Sequence, residues 1–287
     1  KKKIKKISLI KKKFKNRKIN LHEPTILKDD IKSVVKALKK KEVSTYGKYT
    51  DAFENKIKKI VKSKNVISII NGTCALHLAL KILNIGKNSE VLVPSLTYVS
   101  TVNAIIYNGA NPHFVEIDPA NLSVDIPKLD DYLKKTIRKK NNKNINKKTN
   151  KEIKYLLLVH LNGLCCDMYL LKKVLRKYNI KLIEDAAEAF GSFYKNKHLG
   201  TFGEVGIFSF NGNKILTTGG GGAMVFKSKK NYKEALSYST NCKFNFKNEV
   251  HYKDVGYNYR LPSLNASLGI SQINKINNFK NKKKSIF

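Results

Sequence analysis

Short apolar runs alternate along this chain with segments whose apolar residues recur at helical spacing. Helical spacing appears first over residues 31–38 and 53–61. The predicted strands are 66–70, 91–93, 114–117, 155–159 and 180–183, and helices are predicted after the first four, at 75–83, 99–107, 126–137 and 169–178. Fully apolar strands that alternate with amphipathic helices indicate an α/β fold, in which a mostly parallel sheet is covered by helices on both faces.

The alternation changes in the second half of the chain. Residues 205–210 and 223–226 have the pattern of two further strands with no helix between them, and 262–276 has the pattern of a helix. Residues 138–154 are rich in Lys and Asn and predict an exposed excursion, which we interpret as a hairpin. After Asn277 the apolar pattern dissolves into Lys.

Length and composition favour one large globular α/β domain. The chain has 287 residues, and its 41% hydrophobic content excludes a disordered protein. No apolar run approaches the roughly 20 residues of a membrane-spanning helix, and the Lys-rich start lacks the apolar centre of a secretory signal. The four Cys form no C-x-x-C pair, so no metal site is indicated, and we expect reduced thiols in a cytoplasmic protein.

The net charge of +36 has two interpretations. Such a charge is typical of proteins that bind nucleic acid or acidic membranes. The excess, however, is nearly all Lys, and Arg occurs only at positions 17, 138, 176 and 260. Arg is the residue whose planar guanidinium donates paired hydrogen bonds to phosphate. We therefore favour a compositional bias toward Lys over a nucleic-acid partner, although the charge would still attract an anionic substrate.

The strongest chemical signal is the stretch S-F-N-G-N-K-I-L-T-T-G-G-G-G, residues 209–222. It places Lys214 after an apolar strand, between small polar residues and a glycine run, which is a setting suited to an amine that condenses with a carbonyl. A solvated lysine is the alternative. A dinucleotide-binding loop is disfavoured, because that loop opens a helix, whereas residues 223–226 have the pattern of a strand.

Three further groups follow predicted strands. Asp185 stands at the carboxyl end of strand 180–183, where α/β sheets bind ligands and where a carboxylate could pair with a pyridinium nitrogen. Gly72 and Thr73 open a predicted helix, and the free backbone amides of a helix N-terminus can bind a phosphate. Tyr98 could stack on a flat cofactor. The alternatives are ordinary helix N-caps for Asp185 and for the turn Asn71-Gly72-Thr73, and a core position for Tyr98.

In their order and spacing these pieces resemble the DegT/StrS group of sugar aminotransferases. The resemblance runs from about Leu21 to Ile276 and rests on "NGTCALHLAL", "VLVPSLTYVST", "EDAAEAFGS", "GIFSFNGNKILTTGGGGAMVF" and "VGYNYRLPSLNASLGISQI". It implies a fold type I large domain like that of aspartate aminotransferase, a mostly parallel mixed sheet sandwiched by helices. The stretches "VSTYGKYTDAFE" and "FNGNK" are most similar to the subgroup that acts on nucleotide-linked 4-keto-6-deoxy amino sugars, as in legionaminic-acid-type pathways.

This resemblance implies that the cofactor is pyridoxal 5'-phosphate. Lys214 would carry the cofactor covalently and then shuttle a proton, and Asp185 would pair with the pyridine nitrogen. Glu188, where many members have Gln, would lie near the ring oxygen, and Tyr98 would stack on the ring. The implied reaction moves an amino group from glutamate to a nucleotide-linked keto-sugar, in the synthesis of surface polysaccharide or glycan precursors.

The resemblance also implies how the phosphate is held and how the protein assembles. Gly72, Thr73 and Ser209 would hold the cofactor phosphate, and Asn258 would reach the phosphate of the other subunit. A homodimer with shared active sites is therefore expected, with no membrane association. The presence of Lys214 disfavours a sugar dehydratase, because in that branch His replaces the lysine.

The resemblance further predicts three segments. Residues 1–20 would form a basic N-terminal segment, 21–270 the pyridoxal-phosphate-binding domain, and 271–287 the start of a linker helix to a small domain that is missing or truncated. Because that domain normally helps to close the substrate site, a relative that binds cofactor or dimerises without turnover is the alternative to an active aminotransferase. A basic nucleic-acid binder is a third hypothesis, and it relies on charge alone.

Overall fold

The computed structural model describes residues 22–285, with helices and strands in alternation. The helices are α1 (Lys28–Lys39), α2 (Lys48–Val61), α3 (Gly72–Ile82), α4 (Val99–Tyr107), α5 (Ile126–Thr136), α6 (Met168–Lys177), α7 (Lys229–Tyr238), α8 (Ser263–Ile273) and α9 (Ile276–Lys284). The strands are β1 (Val66–Ile69), β2 (Ser89–Pro94), β3 (Asn111–Val115), β4 (Ile117–Asp118), β5 (Ser123–Val124), β6 (Ile137–Lys140), β7 (Lys143–Asn146), β8 (Glu152–Val159), β9 (Lys181–Asp185), β10 (Phe193–Tyr194), β11 (Lys197–His198), β12 (Val205–Ser209), β13 (Gly222–Phe226), β14 (Lys243–Phe246) and β15 (Glu249–Tyr252).

The central sheet has the strand order β1-β13-β12-β9-β8-β2-β3, and β7 and β6 continue from β8. The pairs β12–β9, β9–β8, β8–β2 and β2–β3 are parallel. Strand β13 is antiparallel to both of its neighbours, because it returns directly from β12 without a crossover helix. The predicted α/β fold with a mostly parallel mixed sheet is confirmed.

Two apolar layers cover the sheet, and strands β1, β2, β8, β9, β12 and β13 supply side chains to both. In β8 the side chains of Leu156 and Leu158 join one layer, and Leu157, between them, joins the other. Helices α2, α5, α6 and α8 pack on the first face, and α3, α4 and α7 pack on the second. Since successive side chains of a strand point to opposite faces, burial on both faces requires continuous apolar runs, which is the pattern that the sequence shows.

The excursion predicted at 138–154 is a hairpin, as expected, but it is not wholly exposed. Strands β6 and β7 pair with each other, and β7 joins the central sheet where Ile145 lies opposite Glu152. Asn144 and Asn146 are buried there because their amides donate hydrogen bonds, Asn144 to the Ile153 carbonyl and Asn146 to a buried carboxylate, that of Glu90. These bonds satisfy the Nδ2 donors of two side chains that the sequence pattern assigns to solvent.

Two other elements differ from the prediction. Strand β3 begins at Asn111 and ends at Val115, earlier than the predicted 114–117, since a strand at the edge of a sheet tolerates polar residues and Pro. The Lys-rich stretch after Asn277 continues as helix α9, because Lys is a good helix former and the stem of Lys280 packs over Gly191 and beside Phe193.

The predicted segment 1–20 lies outside the described residues. Within residues 22–285 no helix has both the length and the apolar character needed to cross a membrane.

Gly206 in β12 tests the close packing of the sheet. A Cβ at this position would lie 1.9 Å from the Gly200 carbonyl oxygen, whereas a Cβ at Gly212 would meet nothing within 4 Å. We expect Gly206→Ala to lower the free energy of unfolding by about 3 kcal/mol or more, because backbone must move, and Gly212→Ala to change it by less than about 0.5 kcal/mol. Urea unfolding measures both, and equal effects would contradict this packing.

Candidate active site

The predicted site residues gather where the parallel strands end. Asp185 is the last residue of β9, and Ser209 is the last residue of the neighbouring β12. Helix α3 begins at Gly72, just after β1, and a Cβ on Gly72 would lie 3.1 Å from that of Ser209. In an open α/β sheet this edge is where ligands bind.

The Asp185 carboxylate is buried at this edge, with 4% of the residue exposed. Thr101 on α4 donates a hydrogen bond to Oδ2 at 2.7 Å, and the Ala187 amide donates to Oδ1 at 3.2 Å. Burial raises the pKa of Asp185, and these bonds, with the charges of His160 and Lys214, offset only part of the increase. No helix begins directly after Asp185, where residues 186–192 form turns, so the helix N-cap alternative is wrong.

Lys214 is held beside a carboxylate. Its Nζ lies 2.9 Å from Oε1 of Glu188, and 16% of its side chain is exposed, so it is not a freely solvated lysine. Oε2 of Glu188 accepts a hydrogen bond of 2.8 Å from the Asn162 amide. Burial would raise the pKa of Glu188, but the bonds from Asn162 and Lys214 and the charges of Lys214 and His22 lower it overall.

The turn that presents Asn162 follows β8. Asn162 has a left-handed backbone with φ of 54°, within the short 3-10 segment Leu161–Gly163. Directly before it, His160 lies 3.0 Å from Glu184, and both side chains are fully buried. Glu184 also accepts hydrogen bonds from backbone amides of the loop before β12. This buried pair therefore ties the end of β8 to β9 and to the loop before β12, next to Asp185.

The start of α3 has the form of a phosphate-binding site. Asn71 is the N-cap, since its side chain accepts a hydrogen bond of 2.7 Å from the Cys74 amide, so this turn does contain the ordinary N-cap expected as the alternative. Gly72 and Thr73 lie in the first turn, where backbone amides lack helical partners and the helix dipole favours an anion. The close approach of Gly72 to Ser209 brings a hydroxyl-bearing residue to the same place.

Tyr98 and Asn258 stand apart from these contacts. Tyr98 is the N-cap residue of α4 and is 72% exposed, so the alternative of a core tyrosine is wrong. Asn258 is exposed, and its backbone pairs with that of Thr240 in an isolated bridge. The stacking role of Tyr98 and the reach of Asn258 to another subunit stay predictions.

Sequence reasoning missed the residues that hold the site in place. Thr97 donates a hydrogen bond of 2.8 Å to Thr101, which in turn donates to Asp185. The spacing of four residues between the two threonines was a usable signal, because it places both on one side of the α4 start. The contact of Asn162 with Glu188 had no such signal, since it joins two loops that are 26 residues apart.

A cavity of about 230 Å³ adjoins Lys214. Its walls come from the start of the described chain, the segment that follows Lys214 and helices α8 and α9; the lining residues are His22, Glu23, Pro24, Thr25, Asn213, Lys214, Ile215, Thr217, Gln272, Phe279, Lys282 and Lys283. Lys214 borders this space, whereas Asp185 and the residues at the start of α3 do not line it. An amine, a buried carboxylate and an anion seat at one strand edge can together hold a phosphorylated heteroaromatic aldehyde.

Comparisons with known proteins identify the family of this chain. The DegT/DnrJ/EryC1/StrS aminotransferase family model matches residues 24–287. GDP-perosamine synthase of Escherichia coli O157:H7 is 35% identical over 93% of this chain and 69% of its own length. UDP-4-amino-4,6-dideoxy-N-acetyl-beta-L-altrosamine transaminase of Campylobacter jejuni is 32% identical, over 93% of this chain and 67% of that protein.

A solved structure has the same fold. The putative sugar aminotransferase Spr1654 from Streptococcus pneumoniae, in its PLP form, superimposes with a TM-score of 0.81 at 24% identity, covering 94% of this chain and 70% of that protein. This superposition confirms the fold, and the family model and the relatives confirm the family that the sequence resembles and its cofactor. The chain belongs to the DegT/DnrJ/EryC1/StrS aminotransferase family and is a pyridoxal-phosphate-dependent aminotransferase.

Proposed function

We propose that this chain transfers an amino group from glutamate to a nucleotide-linked keto-sugar of the 4-keto-6-deoxy amino sugar type, for surface polysaccharide or glycan precursors. The observation that carries the proposal is the pairing of Lys214 with Glu188 at 2.9 Å, at the strand edge that also holds the buried Asp185 carboxylate. The printed names of the two relatives support a nucleotide-sugar substrate, since each names a nucleotide-linked amino sugar.

The residues at the strand edge fit pyridoxal phosphate. Within residues 22–285 no cationic side chain forms an ion pair with Asp185, whose pKa is raised by burial, and the protonated ring nitrogen would supply that partner. We assign the phosphate to Gly72, Thr73 and Ser209, and the exposed ring of Tyr98 to the face of the cofactor. When bound, the cofactor supplies an electron sink for the bonds around the transferred nitrogen.

Lys214 is assigned two tasks in succession. It would hold the cofactor covalently, and its amine, when not so bound, would serve as a general base positioned at the reacting carbon. Glu188 keeps this amine at one place through the ion pair, and the Asn162 amide holds Glu188 in turn. The overall exchange is balanced: glutamate leaves as 2-oxoglutarate, and the sugar carbonyl becomes an amine.

We also propose that the protein works as a homodimer whose active sites are shared. One side of α4 remains apolar and exposed, with Val99 58% and Ile106 54% exposed. These residues are seven positions apart and therefore share a face, while Thr101 and Ala104 point inward. Exposed apolar surface beside a ligand site is typical of a protein–protein contact, and Asn258 is exposed, as its assignment to a second subunit requires.

Lys214→Arg tests the covalent role. We expect purified wild-type protein to develop a yellow absorbance band with pyridoxal phosphate and to lose it on addition of glutamate, whereas Lys214→Arg gives no band, because a guanidinium does not form the bond. Lys227→Arg is the matched control, since Lys227 also pairs with a carboxylate at 2.9 Å, that of Glu204. A wild-type band that glutamate leaves unchanged would favour a protein that binds cofactor without turnover.

Asp185→Asn tests the unpaired buried charge in cofactor-free protein. Because the folded-state pKa of Asp185 is raised above 3.8, the folded state binds more protons, and this group lowers stability as the pH rises through the raised pKa. Asp185→Asn should therefore unfold at higher urea than wild type at pH 7, with the difference shrinking toward pH 4. Urea midpoints at both pH values provide the measurement, and a wild-type midpoint above that of the variant at pH 7 would refute the assignment.

Ile106→Asp tests the proposed dimer face. A charge on this exposed apolar side should shift the protein to monomer and weaken the self-association constant by about tenfold or more, while leaving the monomer folded. Sedimentation equilibrium measures the change, and Lys230→Asp, on the exposed side of α7, serves as the control. The same association constant for wild type and Ile106→Asp would rule out this face.

A further inference from the structure

Helix α8 carries two side-chain amides that contact the segment after Lys214. Asn265 donates hydrogen bonds to the carbonyls of Thr218 at 2.7 Å and Gly220 at 3.3 Å. Gln272 accepts one from the Thr217 amide at 3.4 Å. The two amides are seven residues apart, so they lie on one face of the helix, two turns from each other.

Gly269 allows this face to approach the segment closely. It lies between the two amides, and a Cβ there would be 2.6 Å from Cε2 of Phe53 and 2.8 Å from Cγ2 of Thr218. Any side chain at 269 would therefore push both Phe53 and Thr218 away from α8. The helix and residues 217–220 are fitted to each other without intervening space.

A buried carboxylate sets the orientation of the Gln272 amide. Gln272 is 1% exposed, and its Nε2 donates to Oδ2 of Asp30 and to the Thr25 carbonyl, both at 2.9 Å. Asp30 is fully buried and is itself held by Lys275 at 2.7 Å. Because an ionised carboxylate only accepts hydrogen bonds, the NH₂ group of Gln272 must face Asp30, and its oxygen must therefore face Thr217.

The segment that contains Lys214 depends on such outside contacts. Residues 211–216 form neither helix nor strand. Within the segment, Lys214 donates its amide to the Asn211 carbonyl, and Thr218 donates its own to that of Phe210. Gln272, on helix α8, accepts a hydrogen bond from Thr217, which is only three residues beyond Lys214. Gln272 and Lys214 also line the same cavity.

We propose that Gln272, oriented by Asp30 and assisted by Asn265, is a positioning residue that fixes the backbone carrying Lys214. The proposal rests on the role assigned to Lys214 above. The structure joins three distant parts of the chain at this point, since α1 supplies Asp30, α8 supplies Gln272, and the lysine segment supplies Thr217. Loss of the Gln272 amide would let Lys214 move relative to Glu188 without removing either residue.

Gln272→Met tests the proposal, because Met keeps the length of the side chain and lacks the amide. In cofactor-free protein we expect hydrogen exchange of the Thr217 amide to rise about fivefold, the effect of losing one hydrogen bond of about 1 kcal/mol. We expect the equilibrium constant for covalent attachment of pyridoxal phosphate to fall by about fivefold to tenfold. The pH midpoint of the absorbance band should shift as well, which a loss of global stability alone would not cause.

Ser267→Ala is the matched control. Ser267 is fully buried on the same helix, and its hydroxyl bonds only to the Leu264 carbonyl of α8 itself. This variant should leave exchange at Thr217 and the attachment constant within about twofold of wild type, because the lost bond lies within α8. Equal effects of Gln272→Met and Ser267→Ala on both readouts would overturn the inference.

The two readouts separate this inference from the proposed function. If wild-type protein attaches the cofactor and Gln272→Met matches it in attachment and in exchange, the positioning role is wrong while the proposed function stands. If wild-type protein attaches no cofactor, the proposed function fails, and exchange at Thr217 in the cofactor-free variants still decides whether Gln272 fixes the segment.

Discussion

A negative charge buried at the end of a strand is the constraint on which the site depends. Asp185 lies at the carboxyl end of β9 with one hydroxyl and one amide as hydrogen-bond donors, and burial raises its pKa despite them. A charge in that position is costly unless a cation completes it. The fold places this buried carboxylate where a cationic ring can reach it. The charge of Lys214 also lowers the pKa of Asp185, although by less than burial raises it.

The surrounding elements keep that carboxylate and the amine at fixed positions. The hydroxyl of Thr101 restrains Asp185, the Asn162 amide restrains Glu188, and Glu188 restrains Lys214. Below them the buried His160–Glu184 pair anchors the loop before β12. Asp185 and Glu188 are thus each held by a neighbour to which we assign no contact with the cofactor, and Glu188 in turn holds Lys214, as preorganised sites require.

The sequence predicts the parts of this site that belong to a single strand–loop unit. Lys214 and Asp185 follow apolar strands directly, so their place at the sheet edge follows from the α/β pattern alone. The restraining contacts could not be predicted in the same way. Gln272 meets Asp30 across 242 residues, and Thr101 meets Asp185 across 84, so they depend on how distant elements pack. The same limit explains the buried asparagines of β7, whose partners lie on other strands and loops.

The central claim is that the Asp185 carboxylate pairs with a protonated ring nitrogen. Nuclear magnetic resonance of protein loaded with ring-¹⁵N-labelled pyridoxal phosphate measures the protonation state of that nitrogen directly. The account predicts a protonated nitrogen in wild-type protein at neutral pH and an unprotonated one in Asp185→Asn. An unprotonated nitrogen in wild-type protein, or the same resonance in both proteins, would contradict it.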